Sequence, residues 1–361
     1  MPELADIFRA HGPEYIAKFK DRMPTRHLDV IRDVVSCRTE ALGGQLYHCP
    51  QCDDLHYRYH SCKNRHCPKC QNDTTNTWLE KQMNLLLPVS YFMATFTLPQ
   101  SLRALARSNQ GLIYNMLFKA SSYALQKIAA DPKYIGGLLG MVGVLQTWRR
   151  DLGYHVHVHY LIPGGGLSPD RKKWYPARYD YLVPEKAVAK IFRGKFRDLL
   201  KKADLFDQVS SETWSRPWVV DIIDVGSGRA AMKYLAPYIF RVGITNNNII
   251  RLEDGKVTFR YRDSGTDQYK TKMLEAQEFI RRFLQHALPH RFRKVRYYGF
   301  LSPTKRDLLE QIKKRLHISP TPKRQENSSL RDADSPRCPK CGSVLMWVRE
   351  VPRKRGPPIW R

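Results

Sequence analysis

The 361-residue chain is poor in acid: 34 Asp and Glu stand against 61 Lys and Arg, a formal charge of +27. An imbalance of this size repels itself in water unless a polyanion keeps it company, and nucleic acid is the commonest one. Long apolar runs are missing as well; none reaches the roughly 18 residues a membrane-spanning helix needs. The opening MPELADIFRAHGPEYIAKF carries charges where a signal peptide would be apolar, so a cytoplasmic protein is expected. No G-x-G-x-x-G and no P-loop lysine occurs, which argues against a dinucleotide or Walker-type nucleotide fold. Cysteine is absent from residues 71 to 337, although eight are present. A disulfide scaffold would spread its bridges through the fold, whereas tight pairs suggest metal. With 42% apolar and 11% aromatic residues, the chain can still bury a core in about two or three domains.

Three units are expected: 1–86, a helical entry plus a cysteine-rich segment; 87–302, the main body; and 303–361, a basic helix, a Pro/Ser/charge linker and a tail. In the body, β-forming runs over 89–98, 140–148, 154–162, 218–225 and 295–301 alternate with helical spacing over 110–130, 185–203, 230–240 and 274–288. A hairpin joins IIRLE to KVTFRYR at Asp254-Gly255. That order suits an α+β fold with an antiparallel sheet and helices on one face, not a doubly wound one.

Cys49-Pro-Gln-Cys52 and Cys67-Pro-Lys-Cys70 read as two knuckles that converge on one closed, structural zinc site. Such a site would supply on the order of 10 kcal/mol of folding free energy. Cys37, Cys62 and His66 remain for a second site, with His27, His48 or His60 as a fourth partner. Cys338-Pro-Lys-Cys341 looks like half a knuckle without a neighbouring second half.

Tyr154-His-Val-His-Val-His-Tyr160 alternates imidazole with valine, so a strand puts His155, His157 and His159 on one face and Val156 and Val158 on the other. Three adjacent imidazoles must be held neutral, which a metal would do. One reading gives His-hydrophobe-His two ligands for a divalent ion at a phosphodiester, with His155 or another element as the third. A second reading is a histidine-triad nucleotide hydrolase with His157 as nucleophile and no metal. A third is a non-enzymatic zinc-dependent DNA-binding regulator. Lys233-Tyr-Leu-Ala-Pro-Tyr238 places Tyr234 and Tyr238 one helical turn apart, where both could address one phosphate. Pro237 between them would disturb a helix interior.

The run CRTEALGGQLYHCPQCDDLHYRYHSCKNRHCPKCQ, followed by LLPVSYFMATFTLP, HVHVHYLIPGGGLSPD, KYLAPYIFRVGITNNNI and EFIRRFLQHALP, resembles the rolling-circle insertion-sequence transposases of the ninety-one type, relatives of the ISCR elements. The resemblance spans about residues 25–302. It implies an HUH endonuclease domain, with a ferredoxin-like antiparallel sheet, preceded by a small zinc-binding domain. His157 and His159 then form the HUH motif, and Tyr234 and Tyr238 the nucleophilic pair. Implied cofactors are Mg²⁺ or Mn²⁺ at the histidines and Zn²⁺ at the cysteines. The implied partner is single-stranded DNA at element ends and target, in a monomer or homo-oligomer. The basic helix over 185–203 and the strand KVTFRYR are expected to bind the element's ends.

Overall fold

A computed structural model describes residues 1–240, 243–263, 265–317 and 335–354; side chains at 71–77, 81, 234, 236–238 and 240 lie outside the description. The central element is a five-stranded antiparallel sheet in the order Val295–Tyr298, Met141–Trp148, Tyr154–Pro163, Ser90–Thr97, Val220–Ser227. Leaving out the short Val295–Tyr298 edge strand, the other four strands and two helices, Gln110–Ala129 and Glu185–Lys201, follow a β-α-β-β-α-β path. With those strands numbered along the chain, their order across the sheet is 2-3-1-4, the ferredoxin-like arrangement. The histidine strand is therefore interior, paired on both sides.

Alternation along the strands separates two cores. Phe92, Ala94 and Phe96 of one strand and Val156, Val158, Tyr160 and Ile162 of the next pack against the two helices. Burying each of these valines contributes about 1.5–3 kcal/mol. On the opposite face, Tyr91, Met93, Val144 and Leu161 meet Ala231, Met232, Leu235 and Ile239 of the helix Gly228–Phe240. The expectation of helices on one face is thus corrected. The two crossover helices share a face, but a third covers the other, backed by Trp78, Leu79 and Met83 of the helix Pro68–Met83. Gly228 permits that approach, because a Cβ there would lie 2.6 Å from the Tyr91 ring.

A second body of core joins the first two helices, Leu4–Phe19 and Thr25–Ser36, to a three-stranded meander and the helix Ala276–Leu284. The meander contains the expected hairpin, with Asp254 and Gly255 at φ 48° and 71°. It also contains an unforeseen strand, Tyr269–Glu275, so the helix expected over 274–288 begins at Ala276. The third sheet is small. Gly44–His48 pairs with Leu55–Tyr59 on one side and, on the other, with Met346–Val351 from the tail. Most of the linker expected before the tail, 318–334, lies outside the described residues.

Candidate metal centres and catalytic face

The cysteines gather into two groups of four, each with its sulfurs within 4.8 Å of one another: Cys37, Cys62, Cys67 and Cys70; and Cys49, Cys52, Cys338 and Cys341. Sγ–Sγ separations are 3.5 Å for Cys37–Cys70, 3.6 Å for Cys62–Cys70 and 3.5 Å for Cys49–Cys341. A tetrahedral zinc with Zn–S of about 2.3 Å would hold its sulfurs roughly 3.8 Å apart, so both groups fit a zinc ion.

The expected sharing of one ion by Cys49, Cys52, Cys67 and Cys70 is therefore corrected, and the reason is conformational. Cys49-Pro-Gln-Cys52 and Cys338-Pro-Lys-Cys341 form matching knuckles. In each, the residue after the second cysteine is left-handed, Asp53 at φ 58° and Gly342 at φ 77°. That residue's N–H returns to the first cysteine's carbonyl at 2.9 Å in both. In Cys67-Pro-Lys-Cys70, by contrast, Cys67 caps a helix with Pro68 at its first position. Its thiols instead meet Cys37, at the end of the helix Thr25–Ser36, and Cys62, in the loop after Leu55–Tyr59. The tail pair is the missing half of the first knuckle, and Lys340–Asp54 at 2.6 Å fastens it further. His66 stands apart from both groups: it is buried, and its Nε2 accepts the Leu288 N–H at 3.2 Å. His48 pairs with Asp53 at 2.7 Å, and His27 is held down to about 4 by burial and Arg107.

The histidine face follows from register. His157 and His159 lie opposite Thr97 and Thr95 on one neighbouring strand, and opposite Gln146 and Val144 on the other. Ring centroids are 4.9 Å apart for His155–His157 and 4.7 Å for His157–His159. Burial lowers the pKa of all three, His159 to about 4, with neighbouring imidazoles adding to the effect on His157 and His159. All three are accordingly neutral near pH 7. The His157 Nδ1–H donates to the His155 carbonyl at 3.0 Å, leaving Nε2 as a lone-pair donor. His159 Nδ1 shares a hydrogen bond with Thr95 Oγ1 at 3.0 Å. His155 differs: its Nδ1 accepts from Arg103 at 3.0 Å, so its Nε2 carries the proton.

Beside His157, Gln146 is buried; its amide nitrogen donates to Trp148 O at 2.9 Å, and its Oε1 has no partner among the described residues. A buried carbonyl oxygen without a donor is costly, and a cation would satisfy it. Neither Gln146 nor Arg103 was named from sequence, because only strand pairing and the fold of a separate helix bring them to the histidines. Lys294, 4.6 Å from the Trp148 ring and lowered by burial to about 7, sits beyond the strand pair, next to the tryptophan opposite Tyr154.

Tyr234 and Tyr238 lie on the helix Gly228–Phe240, the element that covers the histidine face of the sheet; their side chains lie outside the described residues. Leu235 and Ile239, which follow them in the chain, are buried against the sheet.

The molecule thus joins a ferredoxin-like sheet with a polar histidine face to a cysteine-rich unit whose two groups fit metal ions. A family model described as "Putative transposase" matches residues 140–307, and one described as "Transposase zinc-binding domain" matches 7–98. The "Putative transposase y4qJ" of Sinorhizobium fredii is 35% identical over 97% of this chain and 95% of its own. The "Transposase for insertion sequence element IS801" of Pseudomonas savastanoi pv. phaseolicola is 25% identical over 90% of this chain and 84% of its own. No solved structure matches. The chain belongs to the IS91-type transposase family, with that family's zinc-binding domain at its N-terminal end. No helix among the described residues is long and apolar enough to cross a membrane.

Proposed function

We propose that this transposase cuts and rejoins single-stranded DNA of a rolling-circle element through a 5′-phosphotyrosine, using an HUH-type site. The observation that supports this most is the stacking of the tyrosine helix on the histidine face of the sheet. His157 Nε2, His159 and the unpartnered Gln146 Oε1 would hold a divalent cation, with His155 kept out of the ligand set by Arg103. Mg²⁺ or Mn²⁺ bound there would draw charge from the non-bridging oxygens of the scissile phosphate. Arg103 and Arg149 add positive potential beside His155.

Tyr234 or Tyr238 then attacks phosphorus through its phenolate oxygen. The P–O3′ bond breaks, and the departing 3′-oxygen takes a proton. One phosphodiester has been exchanged for another, so a later 3′-hydroxyl reseals the strand without ATP. The second tyrosine provides for a second transfer. Arg229 and Lys233, on the same helix, favour the phenolate. Each four-cysteine group holds one structural zinc, and the basic helix Glu185–Lys201 and the strand Lys256–Arg262 contact the element's ends.

The test incubates single-stranded element-end DNA with Mn²⁺ and wild type, Tyr234→Phe, Tyr238→Phe or the double variant, and reads the covalent adduct on a denaturing gel. The double variant is expected to form none. An adduct that persists there and maps to His157 would move the chemistry to the histidine-triad reading. No adduct from any protein, wild type included, would leave a DNA-binding regulator.

A further inference from the structure

One groove lies away from the histidine strand. It holds about 850 Å³ and runs between the first two helices and the segments around Arg107 and Arg281. Four arginines line it, Arg22, Arg26, Arg107 and Arg281, and no carboxylate does. Arg281 is neutralised from alongside by Glu278, at 2.6 and 2.8 Å. Arg22, Arg26 and Arg107 have no hydrogen bond or ion pair among the described residues, and the half-buried Arg26 keeps an Nε without any acceptor. Their field is felt locally, since Arg107 helps to hold His27 in its neutral form. Three uncompensated guanidinium groups around one concavity repel one another, and a row of phosphates relieves that repulsion by bidentate hydrogen bonds. Tyr15 and Phe19, with ring centroids 4.8 Å apart, line the same groove and present apolar surface beside the cations.

The groove also leads somewhere. Arg107 and Arg103 stand one turn apart on the short helix Arg103–Ser108, about 6 Å by helix geometry, and Arg103 donates to His155. We infer that this groove is the entry track for the single DNA strand: it grips the phosphates with Arg22, Arg26 and Arg107 and delivers the strand past Arg103 to the histidines. The inference rests on the DNA-processing reading above, and it gives the two N-terminal helices a DNA-binding role of their own. Commitment to a single strand comes from the half-buried Phe19 ring beside the cations, a surface on which an unpaired base can stack.

The experiment measures binding of a fluorescent dT20 oligonucleotide by anisotropy across a salt series, without added Mg²⁺ or Mn²⁺ so that no cleavage intervenes. Arg22→Ala/Arg107→Ala is compared with wild type and with Lys119→Ala/Lys127→Ala, which removes the same charge from exposed positions on another helix. Both altered arginines are exposed, and unchanged zinc content and melting temperature verify folding. The arginine pair is expected to weaken dT20 binding about tenfold at 150 mM salt and to flatten the log–log slope by roughly 1.4, two phosphate contacts' worth. A loss no larger than that of the lysine pair, with the slope unchanged, overturns the track. So does an equal loss for a duplex of the same length, which would mark a general DNA-facing surface instead. Failure of the phosphotyrosine chemistry would appear only in the adduct assay, so the two ideas fail separately.

Discussion

The chain holds two kinds of ligand-bearing region, built on opposite principles. In the cysteine unit, sulfurs from two or three separate segments converge in each group; the group containing Cys49 packs with only Cys338, Leu345 and partly buried neighbours, whereas Cys37, Cys67 and Cys70 join the core around the first two helices. On the sheet, three histidines share one strand, and their spacing is dictated by backbone pairing and by valines buried on the reverse face. The first arrangement is of the kind that a bound metal holds together. The second is preorganised and would hold its geometry with the metal absent.

The largest expected effect tests that dependence and divides the cysteine groups from each other. Cys67→Ser removes a buried sulfur at the start of a helix that backs the tyrosine helix. We expect the loss of one zinc per chain and of about 5 kcal/mol or more of stability, read by metal analysis and denaturant unfolding. Cys341→Ser, at an exposed site on the tail, should also lose one zinc but only on the order of 1–2 kcal/mol, with the tail becoming sensitive to protease. Equal destabilisation by the two substitutions would refute the division.

Acid sharpens the comparison from the side of the sheet. His286 is fully buried against Tyr154 and Trp148, with its Nδ1 at 3.2 Å from Thr147 Oγ1, and its pKa is lowered to about 3. Burial is the main cause; Arg107 and Arg281 push the same way, while the Leu152 carbonyl and Asp151 oppose them. Because the unfolded chain takes up this proton near pH 6.5, stability falls as pH drops from there and stops changing below about 3. At pH 5 this single group should cost about 2 kcal/mol. The variant His286→Gln should show a shallower acid limb than wild type in unfolding at pH 5 against pH 7. Parallel limbs would remove His286 as the cause, since thiol protonation is common to both proteins.

What could be read from sequence followed the same division. The Val/His alternation located a strand and its two faces, because period-two patterning is local, and Asp254-Gly255 located its hairpin for the same reason. Zinc pairing could not be read, because Cys-Pro-x-Cys adopts a knuckle in two places and a helix start in the third, and the true partner of Cys49 lies near the other end of the chain. The strand Tyr269–Glu275 escaped because YKTKMLE lies at the exposed edge of its sheet and has no buried stripe to announce it. Gln146 and the groove arginines were invisible for a third reason: their meaning comes from register and from contacts across more than 80 residues of chain.

The smallest expected effect on stability bears most directly on the histidine face. His157→Ala removes one imidazole from between two others and one hydrogen bond to the His155 carbonyl. The valines beneath and the strands on either side remain, and relief of crowding among the rings offsets part of the lost packing. The change in stability should therefore stay within about 1 kcal/mol, a shift of a few degrees in melting temperature. Mn²⁺ binding beyond the zinc sites, followed by calorimetry or electron paramagnetic resonance, should nevertheless disappear, and Gln146→Leu should weaken it by about tenfold or more. If His157→Ala instead unfolded the protein as thoroughly as Cys67→Ser, the histidines would be structural, and the contrast between a metal-built unit and a preorganised face would collapse. If Mn²⁺ bound equally well to His157→Ala, the cation would have to be sought away from this strand, and the unpartnered oxygen of Gln146 would need another explanation.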